Sequence, residues 1–256
     1  MIDVLSENTL RAAIKTDMPI RYFPTIDSTN TEARRLLRQG MTGSCLLVAG
    51  EQTAGRGRQG KHFYSPADTG IYFSLVLPWE KDMTDAVAVT TGTAVAVCRA
   101  LEQLAGLTPQ IKWVNDVYLN GKKVCGILTE AVTPPEIQQS HLIIGIGINI
   151  TTAAFPQEIE NAGALNKALN RAALVAAVCE ALLQTVPEPF ENYADYYRAH
   201  SLLTGKAIRF WQNGVATDAT ALGIDNTGGL IVRRTDGTLQ TLRSGEITVR
   251  EAKETT

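Results

Sequence analysis

The chain has 256 residues, 45% hydrophobic and 20% charged, which suits one large globular domain or a large domain with a small appendage. Its formal charge of −2 leaves no broad positive field to hold a nucleic-acid backbone, although a local basic loop is compatible with it.

In chain order, residues 20–25 (IRYFPT) read as a strand. Ser28 or Thr29 then caps a helix running to about Gln39 and stopping at Gly40. Residues 45–50 (CLLVAG) form an apolar strand that enters a Gly/Arg-rich loop, and residues 71–78 a further strand closed by Pro78. The stretch from Thr84 to about Leu104, apolar almost all round, predicts a buried helix. Short strands follow at 109–114, 116–119 and 123–131, the last two joined by the hairpin pair Asn120-Gly121. Residues 141–150 (HLIIGIGINI) predict a central strand, and two helices, about 167–185 and 188–199, are separated by Pro187 and Pro189. Beyond Gly205 five short β-rich runs (206–211, 215–224, 229–234, 238–243, 246–250) alternate with Gly-containing turns, which suggests a small barrel. A boundary near residue 200 would divide the chain into domains 1–200 and 201–256.

The four cysteines, Cys45, Cys98, Cys125 and Cys179, form no CxxC pair and sit in apolar runs, so buried reduced thiols are expected and no metal site of the protein's own. The opening MIDVLSENTL lacks the features of a secretory signal. No uninterrupted apolar run is long enough to span a bilayer, which takes roughly 20 residues. A soluble, cytoplasmic protein without a membrane partner is the expectation.

The segment from Glu51 to Lys61 carries a literal G-x-G-x-x-G at Gly55, Gly57 and Gly60 after a predicted strand. It is not a dinucleotide fingerprint, because that motif needs a helix directly after the glycines to aim its N-terminus at the pyrophosphate. Here His62-Phe63-Tyr64-Ser65-Pro66 follows, and no Gly-Lys-Ser/Thr completes a Walker A pattern. The composition fits a mobile loop that wraps an anion: glycines let backbone N–H groups approach closely, and Arg56 and Arg58 supply always-charged planar forks. Such a loop should be loosely ordered when empty. On composition alone it is also compatible with a solvated basic loop or an RGG-like RNA-binding segment.

Four further elements stand in order with it: Asp27-Ser28-Thr29-Asn30, Lys112-Trp113-Val114-Asn115-Asp116, the run from Gly121 to Glu130, and Gly145-Ile146-Gly147-Ile148-Asn149. Taken together, the five elements resemble the biotin–protein ligase family, from about Ile20 to Arg250. The resemblance implies an α+β fold, a mixed sheet flanked by helices like that of class II aminoacyl-tRNA synthetases, with a C-terminal SH3-like β-barrel. It also implies an enzyme that joins biotin to ATP as biotinyl-5′-AMP and then transfers biotin to a lysine of a biotin-carrier domain of a carboxylase or decarboxylase.

By family likeness Ser28, Thr29 and Gln52 contact the biotin ureido ring, whose two N–H groups and one C=O suit such polar partners, and Asn30 of the same motif is a further ligand-binding residue. Gly55, Gly57 and Gly126 would let the backbone approach the ligand. Arg56, Arg58, Lys112 and Lys123 are the cations expected to offset charge where a carboxylate meets a polyphosphate. Asn115 and Asp116 are expected near the phosphates and the Mg²⁺ that arrives with ATP. Asn149 is expected to face the adenylate, and its neighbouring glycines to let that strand approach the nucleotide. Trp113 reads as core rather than contact.

Val114 stands where many relatives carry proline, and the 19 residues ahead of the first predicted strand are too few for the DNA-binding module of some relatives. Direct transcriptional control and a nucleic-acid partner are therefore not expected, whereas a monomer and a homodimer paired edge to edge through the sheet are both compatible with the resemblance. A lipoate–protein ligase would share the architecture but want a long apolar channel, and Ser28, Thr29 and Gln52 favour biotin. A non-catalytic nucleotide or nucleic-acid binder would want an aromatic–basic stripe on the barrel, which is absent.

Overall fold

Seven strands build one mixed sheet in the order β1-β2-β3-β7-β6-β5-β4. They are β1 (Ile20–Ile26), β2 (Cys45–Gln52), β3 (Gly70–Pro78), β4 (Gln110–Lys112), β5 (Asp116–Leu119), β6 (Lys122–Val132) and β7 (His141–Asn149). Only β1 and β2 pair in parallel, with helix α2 (Thr29–Arg38) as the crossover; every other pairing in this sheet is antiparallel. This computed structural model describes residues 4–80, 86–243 and 248–251.

The sheet has a helix layer on each face. On one, α3 (Ala86–Ala105) packs on β6 and on α4 (Arg171–Thr185), which packs in turn on β3 and on α1 (Glu7–Ala13). On the other, α2 packs on β2, β3 and β7. Strand periodicity allots side chains between these faces. In β7, Leu142, Ile144, Ile146 and Ile148 join the large core under α3 and α4. Ile143 belongs to the smaller cluster under α2, with Leu36, Leu37, Leu47 and Val76. Gly145 and Gly147 stand on that second face and leave it bare. The I-G-I-G-I pattern thus makes one strand a core strand on one side and an open floor on the other.

The chain then enters a five-stranded antiparallel sheet, ordered β11-β10-β9-β8-β12. Its strands are β8 (Ala207–Gln212), β9 (Val215–Ile224), β10 (Leu230–Arg234), β11 (Leu239–Leu242) and β12 (Thr248–Glu251). The five expected strands are present, but among the described residues β11 and β12 do not pair, so the sheet is open rather than a closed barrel. Ile208, Phe210, Leu230 and Val232 belong to the same apolar cluster as the core of the larger sheet.

Helix α1 was not anticipated; Ser6 and Thr9 cap it reciprocally. The helix expected from 167 begins at Arg171, where Asn170 Oδ1 accepts from Ala173 N at 2.8 Å. The one expected over 188–199 is a 3₁₀ turn at Phe190–Asn192 followed by the short α5 (Ala194–Ala199), because Tyr193 leaves helical geometry between them. The first residues of the helix expected from Thr84 and of the strand expected from 246 lie outside the described residues. The hairpin at Asn120-Gly121 has positive φ at both residues (50° and 73°), the geometry that a two-residue turn demands. All four cysteines are free and buried. No helix among the described residues is long and apolar enough to cross a membrane.

Leu101, fully buried where α3 meets the core, gives a direct check of this packing. Leu101→Ala should lower unfolding stability by about 2–5 kcal/mol. A denaturant midpoint unchanged from the parent would mean that α3 does not pack as described.

Candidate active site

The bare face of β6 and β7 is the floor of a cleft of about 1080 Å³, measured to include open solvent at its mouth. Register explains the trough: Ser74 of β3 pairs with Gly145, which pairs with Leu128 of β6, and one row further on Tyr72, Gly147 and Gly126 lie side by side. A Cβ on Gly145 would lie 2.0 Å from Asn30 Oδ1, and one on Gly147 2.3 Å from the Phe63 ring. These glycines therefore seat Asn30 and Phe63 against the sheet. The same two glycines also line the cleft.

At the β2–β3–β7 side stands a buried polar group. Ser28, Thr29 and Asn30 are each under 5% exposed at the start of α2. Ser28 occupies the N-cap position, yet its hydroxyl makes no capping bond. Gln52 Oε1 accepts from Thr29 N (2.9 Å) and Oγ1 (3.2 Å), and Gln52 Nε2 donates to Ser65 Oγ at 3.0 Å. Isolated burial of so many polar atoms would be costly, and the pairing offsets it.

At the β6–β5–β4 side the cleft is charged. Lys123 Nζ lies 2.6 Å from Asp116 Oδ1 across the hairpin. The Lys123 backbone is pinned on both sides, its N donating to Asn161 O at 2.7 Å and its O accepting from Gly163 N at 2.9 Å. Asn115 Nδ2 donates to Ile127 O at 3.0 Å, leaving Oδ1 to accept from Arg58 Nη1 at 2.9 Å. Lys112 lines the same side, within 5.5 Å of the Tyr118 ring.

The Gly/Arg loop spans both sides. Its backbone folds back on itself as a flap. Gln52 pairs with Ser65 and Arg56 with His62, Phe63 N donates to Gly55 O, and Gly57 N to Lys61 O. A Cβ on Gly55 would stand 2.4 Å from Phe63 O, so only glycine allows that closure. The flap's cations are held at both ends: Arg58 by Asn115, and Arg56 by Glu130 Oε1 at 3.1 Å. Burial lowers the Arg58 pKa from its ordinary value, Asp116 opposing, but a guanidinium remains charged at neutral pH. Glu130 also accepts from Arg34 at 2.7 Å and Asn30 Nδ2 at 2.9 Å. Burial would raise its pKa; the bonds from Arg34 and Asn30 and the charges of Arg34 and Arg56 outweigh that and hold it below the usual carboxylate range. Among the described residues, six lysines and arginines line the cleft against one carboxylate, Asp116.

This geometry meets a clear pattern of relatives. The model of the biotin/lipoate A/B protein ligase family matches residues 22–149, and that of the biotin protein ligase C-terminal domain residues 204–250. The chain is 31% identical to the bifunctional ligase/repressor BirA of Bacillus subtilis over 247 residues, 91% of this chain and 76% of that protein. It is also 31% identical to the biotin–[acetyl-CoA-carboxylase] ligase of Paracoccus denitrificans, over 81% of this chain and 91% of that one. The chain belongs to the biotin/lipoate A/B protein ligase family. Among solved structures, the Aquifex aeolicus biotin protein ligase in complex with biotin and ATP superposes with a TM-score of 0.76 at 26% identity, over 91% of this chain and 99% of that one.

For this family member the cleft collects Ser28, Thr29, Asn30 and Gln52 on one side and Lys112, Asn115, Asp116, Lys123 and Gly126 on the other, with Arg56, Gly57 and Arg58 above them. Gly55 is buried within the flap rather than lining the cleft. Asn149 does not line it either; it is buried and donates from Nδ2 to Gly163 O at 3.0 Å, so it does not face the cleft as expected. Trp113 is both core and wall, 5% exposed. Phe63, Gly145, Gly147 and Arg250 line the cleft without having been singled out as ligand contacts. The glycine alternation of β7 carried a signal for two of them, and an aromatic inside a polar loop for Phe63. Arg250 had none, since docking of the C-terminal sheet brings it there.

If Phe63 anchors the flap, Gly147→Ala should displace its ring and loosen the loop. Tryptic cleavage after Arg56, Arg58 or Lys61 is then expected to accelerate by roughly tenfold, local opening having become easier. Unaltered cleavage would detach the flap's order from the glycine floor.

Proposed function

We infer that the chain is an ATP-dependent biotin–protein ligase, which forms biotinyl-5′-AMP from biotin and ATP and then transfers biotin to an acceptor protein. The observation that carries the chemistry is the division of the cleft: a buried neutral polar cluster at one side, and a cationic surface with a single carboxylate at the other. Such a site takes a ligand with a neutral hydrogen-bonding head and an anionic end, next to a polyanion.

In the first half-reaction a biotin carboxylate oxygen bonds to the α-phosphorus of ATP, the bond to the bridging oxygen breaks and pyrophosphate leaves. In the second an acceptor lysine amine bonds to the acyl carbon, AMP leaves on its phosphate oxygen and the amine loses a proton. The barrier to the first step is mutual repulsion of anions, so fixed cations in a shielded cleft are the main catalytic resource. On this reading Lys123, aimed by its pinned backbone, sits at the carboxylate and α-phosphate. Lys112 and Arg56 serve the phosphates, and Arg58 holds the adenylate under the flap. Ser28, Thr29, Asn30 and Gln52 take the ureido head.

Among the described residues no group of three or more His, Cys, Asp or Glu is placed to hold a metal ion. The donors at hand, Asp116 with the Asn115 amide, fit a Mg²⁺ that enters with ATP, since this ion keeps waters and phosphate oxygens and needs one or two carboxylates. When bound, the ion would draw charge from the phosphates.

The same reading takes residues 1–200 as the catalytic unit and 201–256 as its support. It places the protein in the cytoplasm, with a biotin-carrier domain of a carboxylase or decarboxylase as acceptor, a homodimer as the assembly, and neither nucleic acid nor membrane as partner.

The test is biotin-dependent exchange of labelled pyrophosphate into ATP, with lipoate in parallel. Exchange with biotin alone is expected; exchange with lipoate alone would move the chain to the sister activity of its family. Lys123→Ala should cut biotin-dependent exchange by about 100-fold or more, the scale of losing one positioned charge stabiliser. Normal exchange in that variant would remove Lys123 from its role. Arg58→Ala should keep the fold but release biotinyl-5′-AMP faster, as measured by trapping free adenylate, and an unchanged release rate would overturn the flap assignment.

A further inference from the structure

Ser74 and Glu130 belong to no motif contact, and neither lines the cleft, yet both touch the residues that do. Ser74 is fully buried on β3. Its hydroxyl lies 2.6 Å from Asn30 Oδ1 and 2.7 Å from Thr29 Oγ1, with one proton for both. An amide oxygen can only accept. Two oxygens 2.6 Å apart need a proton between them, so the Ser74 proton belongs on the Asn30 side.

The orientation of Asn30 is set from behind. Its Nδ2 donates to Glu130 Oε2 at 2.9 Å, and an ionised carboxylate has no proton to return. Arg34 and Arg56 keep Glu130 charged. The opposite end of the chain is closed in the same way. Ser65 Oγ donates to Phe63 O at 3.0 Å, so it accepts from Gln52 Nε2, and this turns Gln52 Oε1 toward Thr29. Both ends terminate on groups that only accept, and Thr29 stands between them. Its own hydroxyl proton is drawn inward, to Gln52 Oε1 at 3.2 Å or to the Ser74 oxygen at 2.7 Å. What remains for the cleft is a lone pair.

We propose that Ser74 and Glu130 are positioning residues that fix the direction of the hydrogen bonds at Thr29, so that this point of the cleft accepts and selects a ligand N–H. The proposal rests on the biotin reading of the site and deepens it: Thr29 meets a ureido N–H, and a ring bearing an oxygen there is rejected because two acceptors would face each other. Ser74 acts through Asn30 and Thr29, and Glu130 through Asn30. Glu130 also holds Arg56, so the polar head site and the flap share one carboxylate.

The experiment compares biotin with its two cyclic carbamate analogues, in which one or the other ureido N–H is replaced by oxygen. Binding to the full chain is measured by calorimetry, and KM and kcat by pyrophosphate exchange. The parent should discriminate sharply against one of the two analogues. In Ser74→Ala the Thr29 hydroxyl loses its nearer inward partner and keeps only Gln52 Oε1 at 3.2 Å, so it turns outward more readily. Discrimination should then fall by about tenfold or more, equivalent to about 1.4 kcal/mol. The KM for biotin should rise while kcat changes by less than about threefold, the signature of a lost uniform binding interaction. Should Ser74→Ala fail to fold, Glu130→Gln carries the test, because its amide can donate to Asn30 and reverse the chain. Glu130→Asp, still acceptor-only, should keep the discrimination. A folded Ser74→Ala or Glu130→Gln with the parent's discrimination, both ligands weakened by one common factor, would overturn the proposal. A parent that exchanges pyrophosphate with biotin yet accepts both analogues as well as biotin would overturn it too and leave the ligase reading standing. A parent that neither binds nor activates biotin would overturn both.

Discussion

Gly145 and Gly147 cannot carry a side chain because Asn30 and Phe63 occupy the space where one would start. Most of the site follows from that restriction. A strand at the centre of a sheet ordinarily buries bulky residues on both faces. Here β7 gives Ile144, Ile146 and Ile148 to the core under α3 and α4, while on the other face Ile143, beside Val76, is covered by α2 and the next two rows of β7 are glycines. The sheet thus changes along its own strands from packed interior to ligand floor. Asn30 can lie flat against it at one row, and the Phe63 ring closes the flap over the next.

The flap shows how cations are held by partners within the protein. A guanidinium needs acceptors, and burying one without them is costly. Arg56 finds Glu130, and Arg58 finds Asn115; Lys123 is matched in the same way by Asp116. Each partner is itself tied to the sheet, Asn115 through Ile127 O and Glu130 through its place on β6. The flap is therefore ordered by contacts with the cleft it covers, and phosphate oxygens would enter by competing with carboxylate and amide oxygens already in place.

Much of this was legible in the sequence because it depends on local periodicity and turn chemistry. The strands of both sheets fell where alternation and Asn-Gly turns placed them, and the cleft collects Ser28, Thr29, Gln52, Arg58, Asn115 and Lys123 from motifs far apart in the chain. The failures are equally specific. Helix α1 is seven residues long with Leu10 as its single buried side chain, too brief for a periodic signal. Asn149 ends a strand whose other residues point to core or cleft, and only the loop at 161–165 decides that its amide turns to Gly163. Ser74 lies inside the apolar run IYFSLVLP and belongs to no motif; register alone sets it beside Asn30.

The C-terminal sheet was the least legible part, because its contribution lies entirely in docking. Trp113 links it to the chemistry. Its indole N–H donates to Gly228 O at 2.9 Å in the β9–β10 turn, while its backbone leads within three residues to Asn115 and Asp116. The same turn is gripped from the other side by Arg198, which donates to Ile224 O, Asp225 O and Asn226 Oδ1. Ile111 joins the linker to β4, its N donating to His200 O and its O accepting from Leu202 N. The turn that carries the Arg58 and Lys123 partners is therefore held from two directions, by the hairpin β5–β6 and by the C-terminal sheet. Arg250 on β12 reaches the cleft within 5.4 Å of the Trp211 ring, so this sheet supplies wall as well as support. A sheet with no motif of its own acts here through the places at which it touches one.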